Sequence, residues 1–159
     1  MRIEEGLKLD FQDVLIRPKR NILNSRSEVI LTRQFKFAHS KLNLDCIPII
    51  ASNMDHTGIF NMAQSLKQKQ LLTCIHKFVG KSEWEKTLDN QLREYVFATA
   101  GLNESELDRL VALNKLVNLK MICLDVANGY SQRFSSFVSR CRSLFPDKII
   151  MAGNVVTGE

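Results

Sequence analysis

From residue 46 onward, short apolar runs alternate with amphipathic stretches, and no other feature restricts the fold as strongly. The runs are "CIPIIASNM" (46–54), "LLTCIHK" (71–77), "YVFATA" (95–100), "LKMICLDVA" (119–127) and "KIIMAGNV" (148–155). Each is apolar throughout, as a parallel strand covered on both faces should be. Between them lie "GIFNMAQSLKQKQ", "SEWEKTLDNQL", "NESELDRLVALNKL" and "SQRFSSFVSRCRSLF". These have helical spacing, for example Ile59, Met62, Ala63 and Leu66 in the first. Ser82 with Glu85 suggests a capping box for the second helix, Asn103 or Ser105 a cap for the third, and Ser131 a cap for the fourth.

Two architectures accommodate such repeats: an open doubly wound sheet and a (β/α)8 barrel. The doubly wound dinucleotide fold places a glycine-rich phosphate turn after its first strand. Here that turn reads "SNMDHTG", which lacks the spacing. Polar residues instead recur at the C-terminal ends of the strands: Asn53 to Asp55, His76 and Lys77, Thr99, Asp125 and Asn154. A barrel enzyme assembles its site from those ends. The expectation is an α/β (β/α)8 TIM barrel over residues 46–159, truncated after its fifth strand. Residues 1–45 form an N-terminal extension containing short strands within "FQDVLIRP" and "EVILTRQF".

With 22 Lys and Arg against 17 Asp and Glu the chain is basic, but the charges are interspersed. No aromatic-interleaved basic face accompanies them, which argues against nucleic acid. No apolar run is long enough to span a bilayer as a helix, and the N-terminus has no signal-peptide pattern, so no membrane role and a cytoplasmic location are expected. Cys46, Cys74, Cys123 and Cys141 show no C-x-x-C spacing. They read as reduced, buried thiols, with no metal site and no catalytic nucleophile among them.

Lys77, at the end of the second run, can reach a nucleotide phosphate or ribose, or lie along the barrel rim. His76 should face the other way and pack. Asp125 follows an apolar run, where a carboxylate is costly unless it accepts hydrogen bonds. Ser131 is better placed than Asp125 to cap the following helix. Asp55 either lines a ligand site or caps the first helix.

Six stretches together resemble the IMP dehydrogenase/GMP reductase family: "MRIEEGLKLDFQDVLIRPKR", "SRSEV", "PIIASNMD", "HK", "DVANGYS" and "AGNVVTGE". Asn53 and "ANGYS" favour its reductase branch. The seventeen residues 78–94 leave no room for the regulatory insertion of most dehydrogenases. The resemblance implies a cytosolic homotetramer of purine nucleotide salvage that converts GMP to IMP and ammonia with NADPH. It implies NADPH contacts at Ser25 and Arg26, reaching a neighbouring subunit's cofactor, and at Lys77, Asp125, Val126 and Ala127. Asn53, Met54 and Asp55 would line the nucleotide site, with Asn154 near the reacting centre. The family's nucleophilic cysteine belongs to a loop after the sixth strand, so the expectation is an N-terminal half, inactive alone. The alternative is a non-catalytic remnant or interaction fragment of the same family. His56, Phe78 and Ala100 depart from the family's usual residues on the ligand face.

Overall fold

The computed structural model describes residues 6, 7 and 9–157; the first and last residues of the resembling stretches therefore lie outside the described residues. The chain divides into two units, residues 1–30 and 31–159.

In the first unit, Phe11–Asp13 and Arg26–Glu28 form short 3₁₀ turns. Asp10 caps the first turn in a reciprocal box with Asp13, and Ser25 caps the second by accepting from the Ser27 amide at 3.2 Å. The strand expected in "FQDVLIRP" is not formed. The Asp10 side chain instead draws the Phe11 amide into a turn, the local competition that Asp offers a strand.

The second unit opens with an antiparallel pair, β1 (Arg33–Lys36) and β2 (Asn43–Cys46). The strand expected in "EVILTRQF" is thus confined to its end and continues to Lys36. Parallel strands follow: β3 (Ile50–Ala51), β4 (Leu72–Ile75), β5 (Val96–Ala100), β6 (Met121–Asp125) and β7 (Ile149–Gly153). The helices between them are α1 (Phe60–Lys67), α2 (Lys81–Thr87), α3 (Glu104–Val117) and α4 (Gln132–Leu144). "CIPIIASNM" is not one continuous strand. Cys46 closes β2, Pro48 contributes no amide to a ladder, and β3 begins only at Ile50.

Strand order is β3-β4-β5-β6-β7, with every neighbour parallel. A doubly wound sheet would reverse at a switch point. Unbroken sequential order is the winding of a barrel, and these five strands form a curled half-barrel with its helices outside. Side-chain alternation sorts two cores. Ile75, Ala98, Ala100, Ile122 and Leu124 face the helices, where they join Phe60, Trp84, Leu110, Leu113 and Phe137. Leu72, Cys74, Phe97, Met121 and Cys123 face the concave side with Leu44 and Cys46 of β2. Each fully buried large side chain of these layers contributes about 1.5–3 kcal/mol.

The helix ends follow local chemistry. Ser131 caps α4 by accepting from the Phe134 amide, as its position suggested. Asn103 is the N-cap of α3 but makes no side-chain cap bond; Asn118 closes that helix in the left-handed region. The box expected from Ser82 and Glu85 does not form. Gly80 is the N-cap of α2, placing Ser82 inside the helix. Trp84 sets that register, fully buried and edge-on to Phe60 at 5.0 Å between centroids.

Candidate functional site

The C-terminal ends of β3, β6 and β7 converge on one carboxylate. Asn53, after β3, donates its amide Nδ2 to Asp125 Oδ2 at 2.8 Å. Asn154, after β7, donates its Nδ2 to Asp125 Oδ1 at 3.4 Å and to the Val126 carbonyl at 2.8 Å. Past the strands, the β6 and β7 chains remain sewn together. The Val126 amide donates to Gly153 O, the Asn154 amide to Val126 O and the Gly129 amide to Asn154 O, all within 2.9 Å. Asp125 therefore does not cap α4. It accepts from two side-chain amides, and its carboxylate is satisfied without being buried.

Two cavities meet at this cluster. One, of about 260 Å3, has Cys74 and Cys123 at its floor and Asn53, Asp125 and Asn154 at its rim. The other, of about 280 Å3, is lined by Asn53, Met54, His76, Lys77, Thr99 and Asp125, among others. A larger cavity of about 370 Å3 lies at the opposite end of the sheet, lined by apolar residues such as Phe35, Leu44, Phe97 and Ile149. It has no convergent polar groups and belongs to the concave core.

Lys77 stands at the wall of the second polar cavity, its Nζ 3.1 Å from Glu106 Oε1 and 5.4 Å from the Phe78 ring centroid. His76 lines the same cavity, and its Nδ1 accepts from the Phe78 amide at 3.2 Å. The packing role expected for it is therefore only part of its placement. Leu72, Cys74 and His76 share one strand parity, and that parity is the concave face, so the signal was in the period of two.

Asp55 lines neither polar cavity and does not cap α1, whose N-cap is Ile59 without a side-chain bond. Met54 is exposed and lines the second cavity. Val126 packs on the helix-side core, and Ala127 is exposed and lines neither cavity. Ser25 and Arg26 line a separate cavity of about 280 Å3 within the first unit, together with Asn21, Leu23, Asn24 and Val29.

Glu106 was missed by sequence reasoning. It occupies the third position of α3, where a capping-box acid would reach back to the N-cap amide. Instead its Oε2 accepts from the Gly101 amide and its Oε1 takes Lys77.

All four thiols are free and buried. Burial, with Asp45 nearby, pushes Cys46 up. A hydrogen bond with Cys123, then burial, push Cys74 up, whereas that same bond draws Cys123 down against its burial. Burial pushes Cys141 up to about 11. Cys46 lies on the hairpin, Cys74 and Cys123 within strands, and Cys141 on a helix, so none sits on a strand-end loop. Among the described residues no group of three or more His, Cys, Asp or Glu could hold a metal ion. No helix among them is long and apolar enough to cross a membrane.

Comparison with known proteins fits this geometry. The chain is 50% identical to GMP reductase of Yersinia pestis (strain Pestoides F) over 163 residues, covering all of this chain and 47% of that protein. The values are the same for GMP reductase of Yersinia pseudotuberculosis serotype O:3 (strain YPIII). The chain thus spans about half the length of the curated relatives it matches. Among solved structures, inosine 5' monophosphate dehydrogenase from Legionella pneumophila superposes with a TM-score of 0.70 at 28% identity, over 92% of this chain and 44% of that one. The family model for the IMP dehydrogenase / GMP reductase domain matches residues 8–159, and the chain belongs to that family.

Proposed function

We propose that this chain carries the cofactor-facing and part of the nucleotide-facing half of an NADPH-dependent GMP reductase, which converts GMP to IMP and ammonia. The observation that carries this reading is the Asn53–Asp125–Asn154 cluster at the strand ends of a family barrel. Two cavities open beside it, each with a few convergent polar groups. The identity to GMP reductases supports the reductase over the dehydrogenase.

The polar set suits the cofactor. Asp125 offers acceptor capacity to a sugar diol, while Lys77 and Thr99 offer donors on the same wall. Val126 and Ala127 would contribute backbone at the rim. Ser25 and Arg26 would serve a neighbouring subunit's NADPH in a homotetramer, the Arg fork being suited to phosphate. Asn53, Met54, Asp55 and Asn154 would face the purine nucleotide. NADPH supplies the hydride that replaces the departing amino group at the purine C2. The residues here bind and orient. The thiolate that attacks C2 would come from the barrel's other half, since the four thiols of this chain are buried away from strand-end loops. On this reading the protein would act in the cytoplasm, in purine nucleotide salvage. The alternative reading, a non-catalytic remnant or interaction fragment, draws on the two sheet edges that have no partner strand among the described residues.

The test pairs an assay with a titration. The purified 159-residue chain should give no GMP-dependent NADPH oxidation alone. NADPH fluorescence should report binding at about 0.1–1 mM, roughly 4–6 kcal/mol. Arg26→Ala and Lys77→Ala should each weaken it. Turnover that tracks the pure chain would overturn the division of labour. Low-micromolar affinity indifferent to both substitutions would overturn the residue assignments.

A further inference from the structure

Lys77 does not meet its cavity as a free cation. Its ammonium is 3.1 Å from Glu106 Oε1. The other oxygen of Glu106 accepts from the Gly101 amide, so one carboxylate ties the end of β4 to the turn after β5. The approach is close enough that a Cβ on Gly101 would lie 2.8 Å from Glu106 Oε2. Behind them Arg109, whose charge also acts on Glu106, donates to the Thr99 carbonyl. Asp125 lines the same cavity as Lys77. Two cations, Lys77 and Arg109, thus stand with two carboxylates, Glu106 and Asp125, and their formal charges cancel. The buried Thr99 hydroxyl finds no oxygen or nitrogen partner among the described residues; the Cys123 thiol is a weak one.

We propose that Glu106 is a specificity-determining residue. By holding Lys77 in a neutral pair, it makes this subsite take an uncharged oxygen acceptor, such as a sugar hydroxyl or a carboxamide oxygen, and turn away phosphate. Lys77 then acts as an oriented donor, and Thr99 adds a second. An incoming phosphate would have to displace the Glu106 carboxylate and face Asp125 as well, a like-charge juxtaposition that discriminates by repulsion. This inference rests on Lys77 as a ligand contact, which belongs to the proposed function.

The test uses pyrophosphate as a probe, measured by equilibrium dialysis on the 159-residue chain at low ionic strength. Glu106→Gln keeps a carbonyl for the Gly101 amide and presents an uncharged group to Lys77. It should tighten pyrophosphate binding on the order of fivefold. That gain should vanish in the double variant Lys77→Ala/Glu106→Gln. Lys77→Ala alone should leave pyrophosphate binding unchanged, because phosphate does not use Lys77 while Glu106 is present. The proposal is overturned if Lys77→Ala alone weakens pyrophosphate, if Glu106→Gln changes nothing, or if its gain survives in the double variant. A parallel NADPH titration separates the two readings. NADPH binding indifferent to Lys77→Ala, with the pyrophosphate results as expected, supports the role of Glu106 and sinks only the assignment of Lys77 to the cofactor.

Discussion

Asn53 and Asp125 stand 72 positions apart in the chain, yet the amide of one donates to the carboxylate of the other at 2.8 Å. The bond spans the concave side from β3 to β6, two strands that are not neighbours in the sheet. Asn154 closes the same carboxylate from β7. Asp125→Ala should release both amides at once. Because Asp125 is exposed, the thermal midpoint should barely move, within about 0.5 kcal/mol of stability. NADPH affinity should fall by about 1.5–3 kcal/mol, the scale of a hydrogen bond to a charged group. A titration in which Asp125→Ala binds as tightly as the parent chain would remove Asp125 from the site.

Gly58 positions Asn53 from behind. A Cβ there would lie 2.3 Å from the Cys74 carbonyl and 2.9 Å from Asn53 Cα, both backbone atoms that cannot rotate away. The Gly58 carbonyl also accepts from the His76 amide at 2.9 Å, joining the turn after β3 to the end of β4. Gly58→Ala should therefore cost about 1–3 kcal/mol in urea unfolding. It should also displace Asn53 from Asp125. In that background Asp125→Ala should weaken NADPH by less than it does in the parent chain, since coupled residues are not additive. Full additivity of the two substitutions in ligand binding would mean that Gly58 does not govern Asn53.

The barrel winding was legible because apolar runs and helical spacing alternate without interruption, and the five parallel strands fall inside the five runs. Ser131 was legible as a cap because it stands one residue before the first helical turn. The failures have local causes. Pro48 splits a run that composition alone leaves continuous. Asp10 bends "FQDVLIRP" into a turn. Trp84, through its contact with Phe60, fixes the register of α2 over the preference of Ser82 for a cap. Of the residues read from strand-end position, Asn53, Lys77, Asp125 and Asn154 line the two polar cavities. Glu106 was invisible because its partners, Lys77 and Gly101, become neighbours only when β4, β5 and α3 pack together.

β3 and β7 each pair on one side only among the described residues, and Ile50, Ile149 and Ile150 lie along them. Unpaired apolar edges template association. A polypeptide of these 159 residues, 18.2 kDa, should elute from size-exclusion chromatography as oligomers well above monomer size. A sharp monomer peak would contradict this.

Alkaline pH should reveal Cys141. Its side chain is fully buried on α4, and burial, opposed by Arg142, pushes its thiol from 9.0 up to about 11. Below pH 9 the thiol is protonated in both states, and the folded protein keeps its full contribution. Between 9 and 11 the unfolded chain gives up the proton while the folded chain retains it. The folded state then binds more protons, so stability falls as pH rises, by up to about 2–3 kcal/mol once both states ionise. Cys46 and Cys74, also pushed up, add to the fall, and Cys123, drawn down, opposes it. Urea unfolding under reducing conditions, followed by fluorescence of the single tryptophan, Trp84, would measure this at pH values on either side of 9. Cys141→Ala should start less stable at neutral pH and lose clearly less between the two values than the parent chain. An identical loss in both proteins would show that Cys141 ionises no differently folded than unfolded.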